Sequence, residues 1–322
     1  MKWVSVMCAI LVLIRSSESR LSADYYAKSC PRFTDIIQQT ITDKQIKSPS
    51  TAAATLRLFF HDCLHNGCDA SVLISSTPFN KAERDADINL SLPGDGFDVV
   101  VRAKTALELT CPGVVSCADI LTAATRDLVR MVGGPYYNVR FGRRDGRAST
   151  AASVEGTLPR PTMPMSDIIS LFQSRRFSIQ EMVALTGAHT IGFSHCKEFV
   201  HQIYNYSRAS QSDPHYNSRF ASGLRDACSD YTNNPTLSVF NDIMTPNKFD
   251  NVYYQNLEKG LGLLGSDHAL ISDPRTRPYA LAYATNQDQF FKAFGLAMEK
   301  LSNYAVVTGR RGEIRRRCDE TN

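Results

Sequence analysis

The sequence predicts a mostly α-helical fold with little β-structure, and three observations support this. Apolar residues recur at intervals of three and four over long stretches, as on helix faces that meet a core. Alternating apolar and polar patterns, which indicate half-buried strands, are scarce. Proline and glycine close several periodic stretches, as at Cys111-Pro112-Gly113 and Gly133-Gly134-Pro135. A chain of 322 residues with 43% hydrophobic and 21% charged residues has ordinary globular composition, which excludes disordered and collagenous classes.

The N-terminus differs from the rest of the chain. Lys2 precedes an apolar run over residues 3–14, and serines follow at positions 16, 17 and 19. This order is typical of a secretory signal peptide, and the run is too short to cross a bilayer of ~30 Å as a helix. We therefore predict a signal peptide over residues 1–19 and a secreted, extracellular protein that does not span a membrane.

The predicted helices follow one another along the chain. Their apolar positions are Ile36, Ile37, Ile41 and Ile46; Val99, Val100, Ala103 and Leu107; and Ile120, Leu121, Ala124, Leu128 and Met131. Another apolar helix begins near Ser50, and the capping box Ser178-Ile179-Gln180-Glu181 opens one more. The Gly-, Arg- and Pro-rich stretch 140–164 indicates an irregular crossover between two helical halves. We expect one domain over residues 20–322, with halves of about 20–150 and 151–322.

The cysteines indicate disulfides. Cleavage of the leader would remove Cys8 and leave eight of the nine cysteines, an even number in an exported chain. Many pairings are possible, and only Cys63 and Cys68 are close enough in sequence to suggest a local bridge. The sequons Asn89-Leu90-Ser91 and Asn205-Tyr206-Ser207 agree with export.

The densest chemical cluster is TLRLFFHDCLHNGCDAS, residues 55–71. Arg57 and His61 are four residues apart, so they share one face of a helix. The fixed positive charge lowers the pKa of the imidazole and leaves a neutral base beside a cation. Such a pair can move a proton and stabilise a departing anion. The alternative for an isolated pair is a surface arginine and a core histidine.

The same cluster offers two metal interpretations. Histidine and cysteine at short spacing resemble a zinc set, formed by His61, Cys63, His65 and Cys68. Thiols of an exported protein are more often bridged, which disfavours zinc. Oxygen ligands around the turn at Gly67 suit calcium, namely Asp62, Asp69 and Ser71, although such loops are often simply solvated.

A second histidine cluster is VALTGAHTIGFSHC, residues 183–196. His189 gains interest from Asp267 in GLLGSDHAL, because a metal-binding imidazole commonly donates its other N–H to a carboxylate. The loop NDIMTPNKFDN is rich in oxygen ligands and is a second calcium candidate. Its members would be Asp242, Thr245 and Asp250, with Thr190 from beside His189.

Together these segments resemble the plant secretory (class III) haem peroxidases, from about Leu21 to Cys318. The shared motifs, in the order of the family, are SADYYAKSCP, LRLFFHDC, NGCDASVLI, AERDADIN, VSCADIL, GGPYYNVRFGRRDG, VALTGAHTIGFSHC, TPNKFDNVYY and LLGSDHAL. The resemblance implies a two-lobed helical fold with haem b between a distal and a proximal half and one calcium ion in each half.

The resemblance also implies roles for individual residues. His61 is the distal acid–base residue, Arg57 its electrostatic partner, and Asn89 orients His61. Phe60 covers the distal haem face, while His189 is the proximal iron ligand and Asp267 its hydrogen-bond acceptor. The distal calcium ligands are Asp62, Asp69, Ser71 and the carbonyls of His65 and Gly67, with Glu83 in the outer shell. The proximal ligands are Thr190, Asp242, Thr245, Asp250 and the carbonyl of Lys248.

Further positions carry over from the family. Pro159 matches the proline at the substrate edge, and all eight cysteines of the exported chain are used. The implied bridges are Cys30 with Cys111, Cys63 with Cys68, Cys117 with Cys318, and Cys196 with Cys228. Because an orienting role requires that Asn89 be buried, we expect a glycan only at Asn205. The chain ends soon after Cys318, which favours the apoplast or cell wall over the vacuole.

These implications define an expected function. The protein reduces hydrogen peroxide to water and oxidises small phenolic donors in one-electron steps; the alternative is a catalytically weak haem-containing protein that binds the cell wall. We expect a monomer that binds no nucleic acid, since a net charge of +4 is too small for that partner. A basic run near the C-terminus, usually a solvated face, indicates weak adhesion to acidic cell-wall polysaccharide; its members are Arg310, Arg311, Arg315, Arg316 and Arg317.

Overall fold

The structure is a computed structural model that describes residues 21–322, so the predicted signal peptide over residues 1–19 lies outside the described residues. Within that range the chain forms thirteen α-helices. They are α1 Phe33–Lys47, α2 Thr51–Asn66, α3 Gly94–Thr110, α4 Cys117–Met131, α5 Ala151–Val154, α6 Met165–Ser174, α7 Ile179–Thr186, α8 Val200–Ile203, α9 Ser218–Ala227, α10 Val252–Glu258, α11 Gly265–Ser272, α12 Arg277–Thr285 and α13 Gln287–Ser302.

The mostly helical prediction is confirmed. The predicted apolar positions fall in α1, α3 and α4, and the helix expected near Ser50 is α2. The capping box is formed at the start of α7, where the Ser178 hydroxyl accepts from the Glu181 N–H at 3.2 Å. The apolar pattern extends past the core at the ends of two helices, because Ile46 is 71% exposed and Met131 42%.

The β-structure of the described residues is one two-stranded antiparallel sheet. Strands β1 Phe193–His195 and β2 Ser238–Phe240 pair in a register that sets Phe193 opposite Phe240. The stretch 140–164 is largely irregular, as predicted, and contains only the four-residue helix α5.

The main hydrophobic core takes side chains from both predicted halves, such as Phe59 of α2 and Phe294 of α13. Helix α13 packs against α7 and also against α2, so it links the two halves. A smaller core lies around the 196–228 bridge and includes Phe199, Ile203 and Leu264. The two histidine clusters are therefore carried by helices that share one packed interior.

Four disulfides fasten this frame, and they join the same pairs that the family resemblance implies. The bonds are Cys30–Cys111, Cys63–Cys68, Cys117–Cys318 and Cys196–Cys228. Because Cys63 and Cys68 are bonded to each other, the zinc interpretation of the first cluster is wrong. No helix among residues 21–322 is long and apolar enough to cross a membrane.

Candidate active site

One cavity of about 310 Å³ brings together the two histidine clusters. Arg57, Phe60 and His61 of α2 line it on one side, and His189, at the end of the α7 segment, lines it on the other. Pro159 also lines the cavity, at the position that the family resemblance gives to the substrate edge. Its volume lies at the lower end of the range of about 300–1,000 Å³ that is common for small-molecule sites.

A buried amide fixes the orientation of His61. The Asn89 side-chain oxygen lies 2.7 Å from His61 Nδ1, and the Asn89 amide nitrogen donates to the Glu83 carbonyl at 2.8 Å. The second bond determines which end of the amide faces His61, so Nδ1 carries the proton and donates it to the oxygen. His61 Nε2 is thereby left as the basic atom of the ring.

The surroundings of His61 keep it neutral. Burial lowers the pKa of His61 to about 3, the positive charge of Arg57 adds to that effect, and the hydrogen bond with Asn89 opposes it. Arg57 is itself held in place by Ser91, because its guanidinium donates to the Ser91 carbonyl at 2.8 Å and to the Ser91 hydroxyl at 2.9 Å. A neutral base therefore stands beside a fixed cation, as the spacing predicts.

On the other side of the cavity, a buried carboxylate orients His189. Asp267 Oδ1 accepts from His189 Nδ1 at 2.9 Å and from the Tyr253 hydroxyl at 2.8 Å, while Asp267 Oδ2 accepts from the Leu264 N–H at 3.2 Å. Burial raises the pKa of Asp267, but His189 and these donors outweigh it and hold the pKa below its ordinary value. Asp267 is thus ionised, and His189 Nε2 is left free.

The loop after α2 gathers the carboxylates expected at the distal calcium site. Asp62 accepts from the Ala70 N–H at 3.0 Å, Asp69 accepts from the Ser71 N–H at 3.0 Å, and the Ser71 hydroxyl donates to Glu83 at 2.8 Å. Burial raises the pKa of Asp62, Asp69 and Glu83, to about 7 for Glu83. The negative charge of Asp69 further raises the pKa of Asp62 and Glu83. A bound cation would stabilise the charged forms of these carboxylates.

The backbone of the same loop is suited to offer carbonyl oxygens. Gly67 has φ +114, a region that glycine tolerates, and a Cβ there would overlap the Ala305 carbonyl. The ring nitrogens of His65 have hydroxyl partners, with Nδ1 2.8 Å from the Thr157 hydroxyl and Nε2 3.1 Å from that of Ser153. Only the main-chain oxygen of His65 is therefore left for an ion in this loop.

The five residues expected at the proximal calcium site also lie together. The Thr190 hydroxyl donates to the Lys248 carbonyl at 3.2 Å, and the Thr245 hydroxyl contacts Asp242 at 3.2 Å and Asp250 at 3.1 Å. In neither loop do three His, Cys, Asp or Glu side chains converge on one point within residues 21–322. Any ion here would depend on hydroxyls and carbonyls as well as carboxylates, which suits calcium.

Three features of the site and its surroundings were not found in the sequence. Tyr253 is a second donor to Asp267, and the only signal was its presence in the motif TPNKFDNVYY. Ser91, which the sequence marks only as part of a sequon, anchors Arg57. The expectation that the C-terminal basic run is a solvated face is wrong for Arg315, which is fully buried and donates to the Cys318 and Ala70 carbonyls at 2.7 Å.

Two histidines face one cavity, one held by an amide beside an arginine and one held by a carboxylate, which is the arrangement that the resemblance implies for haem-dependent, peroxide-reducing enzymes. Comparisons with known proteins agree. The family model for peroxidases matches residues 37–286. Peroxidase 31 of Arabidopsis thaliana is 64% identical over 95% of both chains, and Peroxidase 63 of the same plant is 63% identical over 95% of this chain and 92% of its own. Peroxidase 65 of the same plant is 55% identical over 99% of this chain and 95% of its own.

The chain therefore belongs to the peroxidase family, in its plant class III branch. It is a peroxidase, an enzyme that uses hydrogen peroxide to oxidise reducing substrates with a haem-type cofactor.

Proposed function

We propose that this protein is a secreted peroxidase that holds haem b and two calcium ions and oxidises small phenolic donors in one-electron steps. One observation carries the proposal. His61 and His189 line the same cavity, and the Nδ1 atom of each is bound to a buried acceptor, so both rings keep Nε2 for the cavity.

The residues fit a haem group. His189 Nε2 would hold the iron, and the Asp267 carboxylate would make the imidazole more electron-donating. Apolar side chains that line the cavity would contact the macrocycle, among them Phe60, Phe172, Leu185, Leu270 and Met298. When bound, the iron supplies the binding position for peroxide and the redox chemistry that passes oxidising equivalents to the reductant.

His61 would act as the acid–base residue. Nδ1 donates to Asn89, so the neutral Nε2 is available as the base. It takes a proton from one oxygen of hydrogen peroxide and returns it to the other oxygen, which departs as water. The lowered pKa of His61 keeps Nε2 available as a base over the whole neutral and mildly acidic range. Arg57 stabilises the negative charge that develops on the departing oxygen, and Ser91 holds the guanidinium there.

The calcium ions would be structural. The distal ion would bind the Asp62, Asp69 and Ser71 side chains and the carbonyls of His65 and Gly67, while Glu83 lies in the outer shell. The proximal ion would bind Thr190, Asp242, Thr245, Asp250 and the Lys248 carbonyl. The gathered oxygens support both sites, and the raised pKa values of the distal acids support the distal site.

We further propose that the mature enzyme is a monomeric single domain from residue 20 onward and that it is extracellular. Four disulfides support export. Asn205 is exposed and can carry a glycan, whereas Asn89 is 3% exposed with both amide atoms hydrogen-bonded. Acidic cell-wall polysaccharide is its proposed macromolecular partner.

An absorption spectrum, metal analysis and stopped-flow mixing with peroxide test the proposal together. We expect one haem and two calcium ions per chain and rapid reaction with hydrogen peroxide, followed by oxidation of a phenolic donor. The weakly active wall protein is not favoured, since the chain has a peroxidase site and close peroxidase relatives. Haem binding without rapid reaction would support that alternative, and a chain without haem would exclude both.

A further inference from the structure

A second cavity has no lining residue in common with the cavity of the reaction site. It has a volume of about 610 Å³ and is formed by one face of α3 and the C-terminal segment 316–319. We call it the C-terminal groove; it is lined by Leu73, Arg84, Gly94, Phe97, Asp98, Val101, Lys104, Thr105, Arg316, Arg317, Cys318 and Asp319. Its size is within the range that is common for small-molecule pockets.

Most charges that line the groove already have partners. Lys104 lies 2.6 Å from Glu108, and Arg317 lies 2.6 Å from Asp319. Asp98 is bound by two cations outside the groove, with Lys44 at 2.9 Å and Arg102 at 2.8 Å. These pairs neutralise both carboxylates of the groove.

Two guanidinium groups are left over. Arg84 lies over the Phe97 ring at 4.4 Å and donates to the Ser75 hydroxyl at 2.9 Å. Arg316 is exposed, and only its backbone N–H is hydrogen-bonded, to Asn322. Within residues 21–322, neither guanidinium has a carboxylate at ion-pair distance. The groove therefore offers unneutralised positive charge from two distant parts of the sequence.

The groove also offers apolar surface on a firm support. Val101 is 48% exposed on α3, and Phe97 lies under Arg84. The Cys117–Cys318 disulfide ties the C-terminal segment to α4, so Arg316 is carried on a fastened backbone. Guanidinium groups with no carboxylate at ion-pair distance, beside exposed apolar surface, suit a ligand whose rings carry carboxylates. The ring C–H face can pack on apolar atoms while the carboxylate pairs with arginine.

We propose that the C-terminal groove binds a carboxylated oligosaccharide, a run of hexuronate sugars. This rests on the polysaccharide partner proposed above and assigns it a site. The site differs from the basic run seen in the sequence. Arg315 is buried within the fold, and Arg310 and Arg311 do not line the groove, whereas Arg84 joins it from more than two hundred residues away.

Matched pairs of variants test the site in the haem- and calcium-loaded protein. Val101→Glu and Leu109→Glu place the same negative charge at exposed apolar positions of α3, about two helical turns apart, and only Val101 lines the groove. Arg316→Ser and Arg310→Ser each remove one exposed positive charge, and only Arg316 lines the groove. The probe is a defined oligogalacturonate, with its methyl ester as the neutral control, measured by calorimetry at fixed ionic strength.

We expect Val101→Glu and Arg316→Ser each to weaken binding by about fivefold or more, and the two control variants to change it by less than about twofold. The methyl ester should bind far more weakly than the acid. Equal losses in Val101→Glu and Leu109→Glu would mean general electrostatic attraction and would overturn the site, as would tight binding of the ester or no binding at all. Peroxide turnover, measured on the same samples, tests the proposed function separately.

Discussion

Replacing Asp267 with Asn examines the proximal side of the site most directly. The carboxylate is fully buried and accepts three hydrogen bonds, from His189, Tyr253 and the Leu264 N–H. Asparagine keeps the shape, removes the charge and has a single acceptor oxygen, so its NH₂ group must face at least one of these donors. A buried donor without a partner costs about 1–3 kcal/mol, so we expect the variant to be less stable by that amount.

The effect on the bound haem follows from the same contacts. A hydrogen bond to a charged group contributes about 1.5–3 kcal/mol, and a one-electron potential changes by ~59 mV for each tenfold change in equilibrium. If the lost interaction acts mainly on the ferric state, the Fe(III)/Fe(II) potential rises by up to roughly 60–130 mV. The reaction with peroxide should slow in parallel, because His189 becomes a weaker electron donor.

Tyr253→Phe provides the matched control. Its hydroxyl donates to Asp267 Oδ1, the same oxygen that accepts from His189. Burial raises the pKa of Tyr253 well above its ordinary value, so the hydroxyl is protonated. Its hydrogen bond partly offsets the negative charge of the carboxylate. Removing it leaves His189 as the only donor to Oδ1, so we expect the potential to fall.

Spectroelectrochemistry on both haem-loaded variants, with spectra that verify ligation by His189, measures these shifts. The reasoning fails if Asp267→Asn leaves the potential unchanged, which would make the carboxylate purely structural. It also fails if both variants move the potential in the same direction, since that would indicate general loosening of the pocket.

Three further predictions concern the distal side. His61→Ala should keep haem yet react with peroxide about 10²–10⁴-fold more slowly in stopped-flow mixing, and a loss of only a few fold would refute the base assignment. Arg57 contributes to the low pKa of His61, which is active when neutral, so Arg57→Gln should raise that pKa. The pH below which the peroxide reaction slows should then move to a higher value, and an unchanged pH–rate profile would contradict this. Prolonged chelation with verified calcium loss should lower activity, and full activity in calcium-free protein would reject coupling of the Asp62 loop to His61.

Local spacing explains the part of the site that could be predicted from the sequence. Arg57 and His61 share a face because α2 is helical, and a helix sets residues four apart side by side. The capping box at Ser178 was equally local. In both cases the residues that interact are close in sequence, so no knowledge of the tertiary fold was needed.

The rest depended on tertiary packing. His189 and Asp267 are 78 residues apart, and the expectation that they pair rests on the family resemblance and on the common pairing of metal-binding imidazoles with carboxylates, not on their spacing. Tyr253 joins them only because α10 packs against α11. Arg315 looked like its exposed neighbours, yet the fold places it between the Ala70 and Cys318 carbonyls. Burial of single residues in a polar run cannot be derived from composition.

Glu83 would couple the proposed distal ion site to the proposed base His61. Its carboxylate accepts from Ser71 in the loop after α2, and its carbonyl accepts from the Asn89 amide that orients His61. Without a cation, burial and the neighbouring Asp69 charge raise the pKa of Glu83 to about 7. The charged form of this acid is therefore destabilised in the loop alone. A bound divalent ion would offset that destabilisation at one end of Glu83. Since the other end fixes Asn89, the ion would also stabilise the tautomer in which His61 Nε2 is the base.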